Sequence, residues 1–308
     1  MKRLLTLMVT LCCLAPPAAA EVVLRLGHTG SPGSLEGTLA ARFQSELSSR
    51  AAGVFKLSVL DGSAHSRRRE GDLNLMRAVL AGEPQLAIVR SSPLANFHRP
   101  MALLSPPCKD PEPAWEERVL ASMQGKGLRG LALLDGGPRL FASRRPLHSL
   151  EDLVGMRIRV PQSLVSIDTA RLLGANPVPS AVGRTAEMAR RNYVDGADLT
   201  YPDLAELELQ QVFPYLLEPG YGRERLVVIV NERFYRTLAP AQRQLLADVG
   251  RAVAGYSVAE CRSRVERIKQ GHAPVALGAQ EREALARRLE PARQRILRLV
   301  GADREADR

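Results

Sequence analysis

The sequence has 308 residues, 45% of them hydrophobic and only 4% aromatic, with a formal net charge of +10. That length suits one large domain or two lobes. The basic residues are nearly all arginine, scattered among alanine, leucine and glycine with acids interspersed, so the charge reads as composition rather than as a nucleic-acid-binding face.

In chain order, residues 1–20 come first and read as an export signal. Lys2 and Arg3 precede an apolar stretch, Leu4 to Leu14, that Pro16 and Pro17 break. Ala18-Ala19-Ala20 then offers small residues for cleavage before Glu21. The apolar stretch falls short of the ~20 residues a spanning helix needs. Leu11 before Cys12, and Cys12 before Cys13, do not fit a lipid-attachment site, which wants a small residue there. No later segment is long and apolar enough to span a membrane, so the mature protein is expected to be exported and soluble. Cys108 and Cys261 remain after cleavage. An oxidising compartment permits a bridge between them, and two separately buried thiols are the alternative.

Val22 to His28 alternates as a strand, and Thr29 to Gly33 is a turn. Leu35, Leu39, Phe43 and Leu47 recur every four residues, predicting a helix over 35–50 with Ser34 as its cap. Phe55 to Leu60 is a second strand, Arg67 to Leu80 a helix ended by Gly82, and Gln85 to Val89 a third, fully apolar strand. This β-α-β-α-β order with short connections predicts an α/β fold with a parallel sheet. Pro93 to Pro113 reads as a long surface connection, followed by a helix at Trp115 to Met123 and a strand at Leu128 to Leu134. A second unit opens near Arg145. It has a Ser149-capped turn of helix, a strand Met156 to Val160 stopped by Pro161, and a helix Ser163 to Leu173 ended by Gly174. Val194 to Asp198 leads into a further strand, and Leu226 to Val230 is another. Pro240 to about Gln270 has helical periodicity over a length unusual for a globular helix. Ala279 to Val300 is a final amphipathic helix.

The chemistry-bearing motifs of common enzymes are missing. No His-Glu-x-x-His helix, no Cys-x-x-Cys in the mature chain, no Gly-x-Ser-x-Gly and no phosphate-cradling glycine loop occurs. These absences weigh against an enzyme, although catalytic groups need not be adjacent in sequence, and no cofactor, metal or nucleic-acid partner is expected.

The stretch from Gly136 to Gly196 carries a resemblance. It holds Gly136-Gly137-Pro138-Arg139, Ser149-Leu150-Glu151-Asp152-Leu153, Arg157-Ile158-Arg159-Val160-Pro161, Gly174-Ala175-Asn176-Pro177-Val178-Pro179 and Val194-Asp195-Gly196. In order and spacing these resemble the solute-binding proteins of TRAP (tripartite ATP-independent periplasmic) transporters, of the dicarboxylate-binding type. The resemblance implies a two-lobed periplasmic binding fold, each lobe a mainly parallel sheet flanked by helices, with a long helix across both. It divides the chain into lobe I at 21–144, completed by about 226–255, and lobe II at 145–225, completed by about 256–300, with a tail at 301–308. It implies that Arg159 grips a ligand carboxylate, since a guanidinium fork matches a carboxylate with two parallel charge-assisted bonds. It implies that Arg139 assists, and that TRAP membrane subunits receive the ligand.

This sequence departs from the family pattern. Arg184 stands where an acid usually orients the key arginine, and Ala197-Asp198-Leu199-Thr200 replaces Gln-Glu-Asn-Pro, leaving Asp198 as the acidic position. Arg90 follows the third strand, at a position that the resemblance implies is near the ligand and often polar or acidic. Extra positive charge from Arg90 and Arg184 favours a ligand with more than one negative charge. Tyr201 is a candidate wall of the pocket. His28, after the first strand, is a candidate contact, with a satisfied surface histidine as the alternative. A binding protein that feeds a sensor, or a periplasmic enzyme acting on small acids, would present similar features.

Overall fold

The computed structural model describes residues 21–60, 62, 71–105, 107 and 113–301. The export signal, the start of the helix expected from Arg67, Cys108 and most of the tail lie outside the described residues. The first half reads as expected. Strands β1 (Val22–Gly27), β2 (Phe55–Val59) and β3 (Leu86–Arg90) alternate with helices α1 (Leu35–Arg50) and α2 (Gly71–Ala81). β1 pairs in parallel with both β2 and β3. Ser34 caps α1, its hydroxyl accepting from the Gly37 amide at 2.9 Å. Leu35, Leu39, Phe43 and Leu47 are all buried, so the four-residue period is the core stripe.

The proline-rich segment after β3 is not a plain connection. It forms helix α3 (Ser91–Phe97) and a 3₁₀ segment, Arg99–Leu104. Pro93 and Pro100 each fall in a first turn, where the missing amide would have had no intrahelical partner. Met101 to Leu104 are buried, which draws the segment into the core. Helix α4 (Pro113–Ser122) follows.

Strand β4 (Leu128–Ser143) is longer than expected. It runs through Gly136-Gly137-Pro138, with a register shift between Asp135 and Gly137. Gly137 adopts φ 99°, and a Cβ there would lie 3.1 Å from both Cys261 Sγ and Pro202. The bulge therefore requires glycine. Cys261 is a free, buried thiol, and burial pushes its pKa up to about 12.

The second half holds β5 (Arg157–Val160), α5 (Leu164–Leu172), β6 (Asn176–Pro179), α6 (Thr185–Arg190), β7 (Gly196–Thr200), α7 (Tyr201–Glu206), β8 (Tyr215–Glu218) and β9 (Arg223–Asn231). Beyond them come α8 (Glu232–Thr237), α9 (Pro240–Gly271), β10 (Val275–Ala276) and α10 (Ala279–Val300). The strand order is β2-β1-β3-β9-β4-β7-β5-β6, with β8 on β4 and β10 on β8. The outer strands pair in parallel, whereas β4 and β9 run antiparallel to their neighbours and join the two halves. The first part of β4 pairs with β9 and its last part with β7 and β8.

Helix α9 lies across both halves. Arg264 reaches the Gly33 carbonyl and the Thr38 hydroxyl near α1, at 3.0 and 2.7 Å. Ser257 Oγ accepts from the Asp135 amide of β4 at 2.8 Å, and Lys269 pairs with Glu218 of β8 at 2.7 Å. No helix among the described residues is long and apolar enough to cross a membrane.

Candidate ligand-binding site

Strand ends and helix starts from both halves meet at one small cavity. Arg159 of β5 is 4% exposed. Its Nε and Nη2 donate to the Ser180 carbonyl at 3.0 and 2.6 Å, and its Nη1 donates to the Asp198 carbonyl at 3.2 Å. Among the described residues no carboxylate lies within ion-pairing distance of it. Burial lowers its pKa to about 10, so it stays charged at neutral pH. Ser180 follows β6, is buried, and its Oγ has no hydrogen-bond partner. A buried hydroxyl without a partner carries a desolvation cost that a ligand oxygen would relieve.

Arg139 of β4 is equally buried, and its donors are committed. Nε donates to Asp198 Oδ1 at 2.9 Å and to the Tyr221 oxygen at 3.3 Å, while Nη1 donates to Glu224 Oε2 at 2.5 Å. Tyr221 in turn donates to Asp198 Oδ1 at 2.9 Å. Burial works against the charge on Arg139, but Asp198 and Glu224 more than offset it and hold its pKa above the usual value. Glu224, near the start of β9, also accepts from the Ser91 and Ser92 hydroxyls at 3.1 and 2.8 Å and from the Ser92 amide at 3.2 Å.

Arg90 closes β3. Its Nη2 meets Asp203 Oδ1 at 2.6 Å and Glu36 Oε1 at 2.5 Å, and its Nη1 lies 3.7 Å from Asp72 Oδ2. The Arg90 amide donates to Asp72 Oδ1 at 3.1 Å. Asp203 is fixed by a capping box, with its Oδ2 accepting from the Thr200 amide and hydroxyl at 3.2 and 2.9 Å. Burial raises the Asp203 pKa, but Arg90 and Thr200 outweigh it and hold the carboxyl below its usual range. Burial raises the Asp72 pKa, and Arg90 only partly opposes it.

The cavity these groups enclose measures about 20 Å³, room for about one water. Arg90, Arg139, Arg159, Asp72, Asp203 and Glu224 form most of its polar wall. Its sides must part to admit an organic acid.

The structure thus brings together three of the arginines singled out in the sequence. Asp198 sits behind Arg139 rather than on the cavity. Arg184 does not reach it: the side chain is about one-third exposed, with Glu187 3.8 Å away. His28 is buried beyond β1, and Tyr201 is buried with its hydroxyl donating to Glu218; neither lines the cavity. The expectation of added positive charge also fails. Arg90 is neutralised by Glu36, Asp203 and Asp72.

Sequence reasoning missed Asp72, Ser180, Asp203 and Glu224. Only Asp203 left a local signal, the Thr-x-x-Asp start of α7. Glu224, in Arg-Glu-Arg before an apolar run, looks like a solvated strand end.

Glu206 at the end of α7 adds a test. It accepts from the Ser31 amide at 2.9 Å, and burial, followed by the nearby Glu36, raises its pKa to about 7. The folded protein then holds a proton that the unfolded chain releases at an ordinary glutamate pKa. This contribution to stability is full below the unfolded value and is lost as pH rises toward 7. Glu206→Gln should therefore be more stable than the wild type at pH 8 by about 2 kcal/mol, an advantage that shrinks toward pH 5. Urea unfolding at the two pH values checks this, and an equal difference at both would contradict it.

Two sheet halves joined by β4 and β9, a helix laid across both, and a buried guanidinium at their junction define a two-lobed solute-binding protein. The model of bacterial extracellular solute-binding protein family 7 matches residues 26–298. The chain belongs to that family, and the resemblance to TRAP solute-binding proteins holds across it. It is 23% identical over 288 residues to the C4-dicarboxylate-binding protein DctB of Bacillus subtilis, covering 88% of this chain and 81% of that one. A TRAP periplasmic solute-binding protein of Shewanella oneidensis with bound succinate superposes with TM-score 0.80 at 20% identity, covering 92% of this chain and 97% of that one. One from Polaromonas bound to D-erythronate gives TM-score 0.81 at 22% identity, covering 93% and 98%.

Proposed function

We propose that the protein is exported, captures a small organic acid by its carboxylate at Arg159, and delivers it to the small and large membrane subunits of a TRAP-type secondary transporter. The observation that carries this is Arg159 itself. It is a buried guanidinium with no carboxylate partner among the described residues, set beside the unpartnered Ser180 hydroxyl. Its fork suits two parallel bonds to a carboxylate. The similar proteins are a C4-dicarboxylate-binding protein and binding proteins with succinate and D-erythronate bound, all ligands that carry a carboxylate.

Opening and closing follow from the layout. Arg90 and Asp72 belong to lobe I (21–144, completed by about 226–255). Arg159, Ser180 and Asp203 belong to lobe II (145–225, completed by about 256–300). Parting the lobes frees the cavity, and closure over the acid excludes water and strengthens its pairing with Arg159. No chemical step is required. Thermal unfolding of the purified protein against a panel of organic acids tests the proposal. An acid at a hundred times its dissociation constant should add about 2.7 kcal/mol. Stabilisation by none of the panel would contradict it.

A further inference from the structure

The charge balance at the cavity bears on which acid fits, and the inference rests on the carboxylate reading of Arg159. Among the described residues three guanidiniums face five carboxylates. Glu36, Asp72 and Asp203 lie on Arg90, and Asp198 and Glu224 lie on Arg139. Among the described residues only Arg159 is left to take an anion, with Ser180 Oγ beside it. That is a seat for one carboxylate. A second carboxylate on the same ligand would find no uncommitted cation among the described residues of the cavity. It would lie against Asp72, Asp203 and Glu224, where like charges in a buried site repel strongly.

The acids are not equally satisfied. Glu224 accepts from Arg139, Ser91 and Ser92. Asp203 accepts from Arg90 and twice from Thr200. Of the three acids that line the cavity, Asp72 is the loose one. Its Oδ1 accepts from the Arg90 amide, with Thr29 Oγ1 at 3.5 Å, but among the described residues its Oδ2 has only the distant Arg90 Nη1 at 3.7 Å. Asp72 lines the same cavity as Arg159.

We infer that the ligand is a zwitterion, with one carboxylate held by Arg159 and Ser180 and a cationic nitrogen held by Asp72. A protonated amine supplies the charge the cavity lacks and donates to Asp72 Oδ2. A hydroxyl supplies the donor without the charge, and a second carboxylate reverses it.

Calorimetric titration of the full chain with matched triplets tests this. Each triplet keeps one carboxylate and one carbon skeleton of three to six carbons. An amino, hydroxyl or carboxyl group varies either at carbon 2 or at the far end. In at least one triplet the amino member should bind at least tenfold more tightly than both others. Asp72→Asn, which keeps an acceptor for the Arg90 amide, should weaken that member at least tenfold more than it weakens the hydroxy acid. If the hydroxy acid or the diacid is tightest in every triplet, the zwitterion is excluded while capture at Arg159 stands. Equal weakening of the amino and hydroxy members by Asp72→Asn excludes it in the same way. Binding of no triplet member overturns the carboxylate reading and this inference together.

Discussion

Replacing Arg159 with alanine is expected to weaken binding of the cognate acid by about 100-fold or more. Truncating one side of a buried, hydrogen-bonded charge pair costs about 2–5 kcal/mol. The other cavity arginines cannot compensate, because Arg90 and Arg139 are each held by two or more carboxylates. Arg159→Lys is the more discriminating variant. It keeps the charge and loses the planar fork that meets both oxygens of a carboxylate. Its affinity should fall between the two, about tenfold below wild type. Calorimetry of both variants with the acid that stabilises the wild type measures the effect. An affinity unchanged in Arg159→Ala would remove Arg159 from the site.

The second large effect is on folding. Glu224 is 1% exposed and takes one arm of an equally buried Arg139. Glu224→Ala leaves that arm and the Ser92 hydroxyl without their acceptor, and leaves Ser91 the Leu104 carbonyl at 3.4 Å. Removing one partner of a buried pair costs about 3–5 kcal/mol, because the remaining charge stays desolvated. For a chain of this size each kcal/mol moves the melting temperature by roughly 2–4 °C, so a drop on the order of 10 °C is expected. The arm bound to Asp198 is retained, which places the cost near the lower end of that range. Thermal unfolding without ligand checks it, and a drop of less than about 2 °C would mean that water or rearrangement replaces the lost acceptor.

The expectations that held were those carried by local physics. The four-residue stripe of α1, its Ser34 cap and the long α9 follow from periodicity and capping, and these residues pack as their spacing implies. The position of Arg159 was legible because its surrounding motif fixes strand β5 and the turn after β6, which together aim the side chain. The acids were not legible, because each is brought in by tertiary contact. Glu224 reaches Arg139 only through the bulged pairing of β4 with β9, and Asp72 reaches Arg90 only because α2 begins beside the end of β3. The same reason explains Arg184. In sequence it substitutes for an acid near the key arginine, but in space its side chain turns toward Glu187. Charge counted along the chain therefore gave the cavity the wrong sign. The proline-rich segment after β3 misled in another way, since prolines confined to first turns permit helix, and buried Met101 to Leu104 then stabilise it.

The most direct test of the central claim is calorimetric titration of the wild-type protein with its best acid and with the methyl ester of that acid. The ester keeps the skeleton and removes the negative charge that Arg159 is placed to meet. Micromolar or tighter binding of the acid, with at least a hundredfold loss for the ester, is the result predicted here. Equal binding of acid and ester would contradict capture of a carboxylate by Arg159.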